Sequence, residues 1–192
     1  IMIRAAEKAG RSLARDFGEV EQLQVSRKGP ADFVTAADVR SEEIIFEELK
    51  KARPDYSFMM EESGKVEGKN PDHVWIIDPL DGTHNFMHGI PHWCISIALE
   101  TRGRVEAGLV YDVVKDEMFH AERSGGAFVR GKRVRVSSRN DMESSTIGFG
   151  TAHIDLLKQD LYMRELNAVS SQAPMAGSYT HLRAHETDSY LV

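Results

Sequence analysis

The stretch Val74-Trp75-Ile76-Ile77-Asp78-Pro79-Leu80-Asp81-Gly82-Thr83 decides the fold of this chain. Its first four residues form a continuous apolar run, which is typical of a strand buried on both faces of a sheet. Pro79 fixes the backbone directly after that run, so we expect Asp78 and Asp81 to converge across one turn. Gly82 lets the chain approach a ligand closely. The stretch therefore predicts a strand that ends in carboxylates and opens a helical or tight-turn segment.

An earlier apolar run ends in the same way. The residues Tyr56-Ser57-Phe58-Met59-Met60 stop abruptly at Glu61-Glu62-Ser63-Gly64, which predicts a second strand that ends in carboxylates. Glu61 could thus bring a third carboxylate to the same edge of the sheet. Asp38 adds an outlying carboxylate that could take a proton.

These residues suit a phosphate group held beside metal ions. The backbone N–H groups of Gly82 and Thr83 are expected to point out of a helix start, where phosphate binds favourably. Carboxylates beside an anion site repel their ligand unless cations lie between them, and donors that are all oxygen select a hard ion such as Mg²⁺. Two or more Mg²⁺ ions about 3.5 to 4 Å apart can activate water and stabilise a phosphate leaving oxygen. The sequence therefore predicts Mg²⁺-assisted phosphate chemistry.

Simpler interpretations of single residues stay open. A pair of carboxylates usually marks a solvated turn, Asp-Gly is a common hairpin signal, and Asp38 could be only the N-cap of the helix after it. Two carboxylate motifs that each follow an apolar strand directly favour the metal site. The spacing of His84, His88 and His92 would suit one helical face, but Pro91 interrupts such a helix and favours loop and packing roles.

The rest of the chain mixes helical and strand patterns without an internal repeat. The first helix is already under way at the first residues, as if its beginning had been cut off, and its apolar face comprises Ile3, Ala6, Gly10, Leu13 and Phe17. Further helices are predicted over residues 39–51, with Asp38 at or near the start, and 154–168. Strands are predicted over residues 93–100 and 105–111, joined by a turn at 101–103, and over residues 117–121, 127–130, 133–137 and 146–150. This order predicts an α+β or layered αβ sandwich fold.

Composition narrows the class of protein. A chain of 192 residues, 41 % hydrophobic and 28 % charged, suits one domain or two small ones. Its 24 basic and 30 acidic residues give a net charge of −6, the wrong sign for binding nucleic acid mainly by electrostatics. The sequence shows neither a membrane-spanning apolar run nor a signal pattern. Cys94 is the only cysteine, which favours a reducing, cytoplasmic location, and its position in an apolar strand predicts a small buried apolar side chain.

A set of motifs resembles the bacterial inositol monophosphatase family. The set comprises Asp38, residues 60–64, residues 75–83, Asn85-Phe86 and His88-Gly89. The resemblance runs from the first helix to about Gly177. It implies the αβαβα sandwich of the Mg²⁺-dependent, lithium-sensitive phosphatases, which hydrolyse a small phosphate monoester, here most simply inositol monophosphate.

The resemblance also implies a set of metal ligands. One metal would be held by Glu61, Asp78 and the backbone carbonyl of Leu80, and a second by Asp78 and Asp81. A third, weaker metal would lie near Glu61. The cofactor implied is Mg²⁺.

Catalytic roles follow from the same resemblance. Thr83, hydrogen-bonded to Asp38, would position the water that attacks phosphorus in line, without a covalent enzyme intermediate. The residues implied to bind the substrate are Glu61, Leu80, Asp81, Gly82 and Thr83. Members of the family often form homodimers, although nothing in this sequence independently shows an interface.

Two departures from the family pattern bear on this chain. His84 stands where many members have a second Thr, a position beside the site, where we expect little effect. We expect residues 1–177 to form the family domain, truncated at both ends, so that the second half of the sandwich is incomplete. Residues 178–192 do not match the family pattern and are expected to be a non-native tail. The Asp that completes the second metal site is absent, so the 192-residue chain itself is expected to be inactive or nearly so.

Other functions stay open at this stage. Relatives act on adenosine 3′,5′-bisphosphate, fructose 1,6-bisphosphate or histidinol phosphate, and the residues that choose among these substrates lie largely outside the matching part. Some bacterial members are partners of the transcription and ribosome-assembly machinery, independently of phosphatase activity. The acidic balance of the chain argues mildly against direct RNA binding.

Overall fold

The computed structural model describes residues 1–20, 25–27, 33–149, 159–172 and 175–178. The chain divides into two compact units, residues 1–133 and residues 134–192. The expected tail, residues 178–192, lies outside the described residues except for Ser178, which ends a strand.

The described residues form helices and strands in mixed order. The helices are α1 (Met2–Phe17), α2 (Ala36–Ala52), α3 (Thr83–Met87) and α4 (Gln159–Ser170). The strands before α3 are β1 (Val25–Arg27), β2 (Phe33–Thr35), β3 (Tyr56–Met60), β4 (Gly64–Val66) and β5 (Asn70–Asp81). Those after it are β6 (Cys94–Thr101), β7 (Arg104–Asp112), β8 (Glu117–Glu122), β9 (Gly126–Val129), β10 (Lys132–Val134), β11 (Thr146–Phe149) and β12 (Met175–Ser178).

A mixed sheet of eight strands dominates the first unit, with the order β10-β9-β8-β7-β6-β5-β3-β4. The strands β3 and β5 are parallel, whereas β5 to β9 pair antiparallel in succession. The helices α1 and α2 pack on each other; α2 contacts β5, and α1 contacts β6 and β7. This mixed sheet with helices confirms the α+β sandwich class.

The central strand β5 differs from its prediction in two respects. Trp75 and Ile77 are buried, whereas Val74 and Ile76 are only half-buried, so the expectation of burial on both faces was wrong. Successive side chains point to opposite faces, and α2 packs against β5. The strand also continues through Pro79 to Asp81, because its pairing with β6 shifts register there and the missing proline N–H breaks no regular ladder.

The helices α1 and α2 confirm the predicted helical segments, but the buried face of α1 and the start of α2 differ from the prediction. In α1 the buried apolar residues are Ala5, Ala6, Ala9 and Leu13, while Ile3 is 42 % exposed and does not belong to the core face as predicted. Small alanine side chains bring the backbone of α1 close to its neighbours, so the buried stripe follows them. The helix α2 begins three residues earlier than predicted, and Asp38 lies in its first turn.

The antiparallel part of the sheet follows the sequence prediction closely. The turn between β6 and β7 has positive φ at both Arg102 and Gly103, as in the type I′ hairpin that matches the twist of two strands. The predicted strand at 133–137 is shorter in the structure.

The second unit contains a parallel pair of β11 and β12. Its helix α4 confirms the later part of the predicted helix, whose earlier part lies outside the described residues. No helix of the described chain is both long and apolar enough to cross a membrane.

Candidate active site

The parallel pairing of β3 and β5 brings their carboxyl ends to one edge of the sheet. Met60 stands opposite Ile77, and the Glu61 N–H donates to the Ile77 carbonyl at 3.2 Å. Each strand continues into an acidic residue, so the Glu61 and Asp78 side chains meet and share a hydrogen bond. The sequence prediction that these two strand ends converge is therefore confirmed.

The Asp78 carboxyl lies in an unfavourable setting for a negative charge. Partial burial, the charge of Glu61 and its hydrogen bond, and the charge of Asp81 together raise the pKa of Asp78 to about 8. The Leu80 N–H opposes this shift, because it donates to Asp78 Oδ1 at 3.2 Å. Without a cation, the site therefore favours a protonated Asp78 at neutral pH.

Cys94 lies beside these carboxylates, which the sequence interpretation missed. Asp81 and Cys94 are paired across β5 and β6, and the Cys94 thiol donates to Asp81 Oδ2 at 3.7 Å. The residue is only partly buried, so it is more than the small buried apolar side chain that was expected. Burial and the charges of Asp81 and Asp78 raise the pKa of the thiol, which keeps it protonated.

The turn after β5 depends on a glycine. Gly82 has φ of 96° and precedes α3, and its carbonyl accepts the first helical bond from the Phe86 N–H at 3.0 Å. A Cβ at this position would lie 3.0 Å from the His92 carbonyl oxygen and 3.2 Å from the Trp93 Cβ. This tight approach explains why the turn between β5 and α3 has a glycine at this position.

The Thr83 hydroxyl is bonded to the backbone at the end of β5. Its Oγ1 donates to the Leu80 carbonyl at 3.0 Å. Asp38 itself is buried, with 1 % of its surface exposed.

The helix α2 supplies two further polar groups that the sequence interpretation did not single out. Ser41 is fully buried and donates from Oγ to the Pro79 carbonyl at 2.9 Å. Glu42 accepts hydrogen bonds from the turn after β3. Both residues lie one helical turn after Asp38, at the i+3 and i+4 positions that share a face with it. That spacing from Asp38 was the available signal.

The donor set fits a hard cation in charge and chemistry. Glu61, Asp78 and Asp81 supply oxygen donors, and no Lys or Arg of the described chain forms an ion pair with any of them. Within the described ranges, no three His, Cys, Asp or Glu side chains already converge as a ligand cluster. The described residues therefore offer oxygen ligands whose negative charge is not neutralised by a Lys or Arg ion pair.

Together these features define an α+β sandwich protein with an acidic, oxygen-rich centre at adjoining strand ends. Residues 1–190 match the model of the inositol monophosphatase family, and the chain therefore belongs to that family.

Individual relatives agree with this membership. The chain is 51 % identical over 172 residues to an inositol-1-monophosphatase of Mesorhizobium japonicum. The aligned part covers 90 % of this chain and 65 % of the relative. It is 44 % identical over 150 residues to a Nus factor SuhB of Pasteurella multocida, with 78 % of this chain and 56 % of the relative covered. The chain thus spans about two thirds or less of the length of these relatives.

Solved structures resemble the fold closely. The extragenic suppressor protein SuhB of Bartonella henselae matches with a TM-score of 0.89 and 48 % identity, covering 97 % of this chain and 71 % of that chain. The inositol monophosphatase of Thermotoga maritima matches with a TM-score of 0.79 and 31 % identity, covering 92 % and 65 %.

Proposed function

We propose that this chain carries the catalytic site of a Mg²⁺-dependent phosphatase that hydrolyses a small phosphate monoester, with inositol monophosphate as the first candidate substrate. The observation that carries the proposal is the meeting of Glu61 and Asp78 at the adjoining ends of the parallel strands β3 and β5, where burial, Glu61 and the charge of Asp81 raise the pKa of Asp78 to about 8. Neighbouring carboxylates of this kind need a cation to be fully ionised at neutral pH. The identity to relatives named inositol-1-monophosphatase supports the substrate class.

Different groups of this chain would bind the metal and the substrate. Glu61, Asp78, Asp81 and the Leu80 carbonyl would be the metal ligands. When bound, Mg²⁺ neutralises charge on the phosphate and lowers the pKa of water. The backbone after Asp81 gives the phosphate oxygens close access, because the turn at Gly82 carries no side chain.

Thr83 and Asp38 are proposed to position the attacking water. The Leu80 carbonyl oxygen has two lone pairs, so it could be a metal ligand and still accept the hydrogen bond from Thr83. In the reaction, the Thr83 hydroxyl would instead donate to Asp38 and accept a hydrogen bond from the water, so that the water proton passes to the hydroxyl as the hydroxyl proton passes to Asp38. The buried Asp38 carboxylate would orient that hydroxyl and take up the proton, which is general base action.

Further features of the family extend the proposal. We infer lithium sensitivity, a cytoplasmic location and self-association as a homodimer from family membership. Adenosine 3′,5′-bisphosphate, fructose 1,6-bisphosphate and histidinol phosphate are the competing substrates. We also propose that residues 1–177 form the family domain.

A second function has support of its own. Relatives named Nus factor SuhB are 44 %, 43 % and 40 % identical over 150 residues, which favours a role as a partner of transcription and ribosome-assembly machinery. Pull-down of RNA polymerase and ribosomal RNA factors, with Asp78→Asn beside the wild type, separates the two functions. A partner role that is independent of catalysis predicts equal capture by both chains.

The phosphatase proposal is tested on the 192-residue chain by two parallel measurements. Mn²⁺ binding, followed by electron paramagnetic resonance with Mg²⁺ as competitor, should be detected and should fall at least 10-fold in Asp78→Asn. Phosphate release from inositol 1-phosphate should be slow, should require Mg²⁺ and should vanish in the same variant. Release that persists in chelator, or metal binding that is unchanged in Asp78→Asn, would contradict the proposal.

A further inference from the structure

The most unusual buried group outside the ligand set is Glu42 on α2, of which only 2 % is exposed. Its Oε2 accepts from the Glu62 N–H at 2.8 Å, and its Oε1 accepts from the Ser63 N–H at 2.9 Å. Oε1 also accepts a short bond from the Ser63 hydroxyl. A buried carboxylate with three donors is a stable arrangement, because hydrogen bonds to the charged form compensate its lost hydration.

These bonds fasten the residues that directly follow Glu61. On its other side, the Glu61 N–H is bonded to the Ile77 carbonyl of β5. The backbone around Glu61 is therefore held by β5 at one position and by α2 at the next two. Such a short segment, tied at successive residues, leaves Glu61 little freedom to move away from Asp78.

The residue next to Glu42 reaches the other acidic segment. The Ser41 hydroxyl donates to the carbonyl of Pro79, which lies between Asp78 and Leu80. Neighbouring positions of one helix thus hold both strand ends that carry carboxylates. The helix α2 can therefore fix the distance between the residues that follow β3 and those at the end of β5.

We propose that Glu42 is a positioning residue of the metal site: through the turn at Glu62 and Ser63 it sets the place of Glu61 relative to Asp78. The inference rests on the proposed function, because it assigns Glu61 to the metal. Mg²⁺ requires nearly ideal octahedral geometry, so a ligand displaced by a small distance loses affinity. Residues that orient metal ligands typically change affinity 10- to 100-fold when they are replaced.

The requirement is for a carboxylate and not for any polar group. Both Glu42 oxygens are used as acceptors, whereas a glutamine offers one acceptor oxygen and one NH₂ group. In Glu42→Gln the NH₂ group would face a backbone N–H, and one end of the turn would be released. The variant keeps the size of the side chain, so any change in Mn²⁺ binding would come from the altered hydrogen bonds and not from altered packing.

The experiment compares Glu42→Gln with the wild type and with Glu43→Gln. Glu43 is the exposed neighbour on α2, so its variant has the same change in net charge without the buried bonds. Amide hydrogen exchange at Glu62 and Ser63 should accelerate at least 10-fold in Glu42→Gln and remain unchanged in Glu43→Gln. Mn²⁺ binding by electron paramagnetic resonance should weaken on the order of 10-fold in Glu42→Gln only.

A milder variant keeps the inference testable if Glu42→Gln folds poorly. Ser63→Ala removes one of the three donors and leaves both backbone bonds, so Mn²⁺ binding should weaken by only about 2- to 3-fold. Equal Mn²⁺ affinity in Glu42→Gln and wild type, measured on folded protein, would overturn the positioning role. Unchanged exchange at Glu62 and Ser63 would overturn it as well.

A further variant separates this inference from the proposed function. Glu61→Gln removes the ligand itself and should weaken Mn²⁺ binding more than Glu42→Gln does. If Glu61→Gln binds Mn²⁺ as the wild type does, the assignment of Glu61 fails and the positioning role fails with it. If Glu61→Gln loses binding and Glu42→Gln does not, the proposed function stands and only the positioning role is wrong.

Discussion

Two carboxylates at this site have opposite surroundings. Glu42 on α2 is buried and accepts hydrogen bonds from two backbone N–H groups and one hydroxyl. Asp78 at the end of β5 is partly buried beside Glu61 and Asp81, and the Leu80 N–H is the donor that favours its charge. The fold compensates the charge of the first carboxylate with hydrogen bonds, whereas the neighbours of the second disfavour its charge. Chemistry is therefore expected at Asp78, and rigidity at Glu42.

Neutralising the two carboxylates should change stability in opposite directions, and this is the largest effect that we expect. In Glu42→Gln, one donor loses its acceptor, which costs about 1–3 kcal/mol of the free energy of unfolding. Asp78→Asn removes a charge that the folded state disfavours above pH 8 and keeps an acceptor for the Leu80 N–H. Urea unfolding at pH 9 in chelator should show Asp78→Asn about 1–2 kcal/mol more stable than wild type, after allowance for solvent screening.

The pKa of Asp78 also predicts how the stability gain of Asp78→Asn changes with pH. The ordinary pKa of an aspartate is 3.8, and the folded state raises the pKa of Asp78 to about 8. Between these values the folded chain binds the proton that the unfolded chain has lost, so the stability contributed by protonated Asp78 is lost as pH rises. The gain from Asp78→Asn should therefore be larger at pH 9 than at pH 5. A gain of equal size at both values would show that Asp78 is not strained by its neighbours.

Gly82→Ala tests how much the backbone turn between β5 and α3 contributes to stability. The added Cβ would meet the His92 carbonyl at 3.0 Å, and the φ of 96° is unfavourable for alanine. We expect a loss of about 1–2 kcal/mol in the free energy of unfolding, from thermal or urea melts in chelator. Gly64→Ala is a suitable control, because it also has positive φ but no atom within 4 Å of its Cβ. An equal loss in both variants would mean that φ alone, and not the close approach to His92, limits this turn.

The sequence predicts the acidic strand ends well because the signal is local. An apolar run fixes where β3 and β5 end, and parallel pairing then brings Glu61 and Asp78 together. Glu42 is different, because a glutamate on an amphipathic helix is normally solvated and its partners are 20 and 21 positions away in sequence. Cys94 was placed in a strand correctly, but its contact with Asp81 depends on the β5–β6 register. Long-range partners of this kind are decided by the tertiary fold.

Ser41→Ala should give the smallest effect and therefore sharpens the comparison most. The variant removes one buried hydrogen bond to the Pro79 carbonyl and leaves a small cavity, which should cost about 1 kcal/mol in urea unfolding. Glu42 would still hold the turn after Glu61, so Mn²⁺ affinity should fall by no more than about 3-fold, less than in Glu42→Gln. If Ser41→Ala weakens Mn²⁺ binding as much as Glu42→Gln does, α2 positions the two acidic segments equally. The control over metal geometry would then belong to the helix as a whole and not to its buried carboxylate.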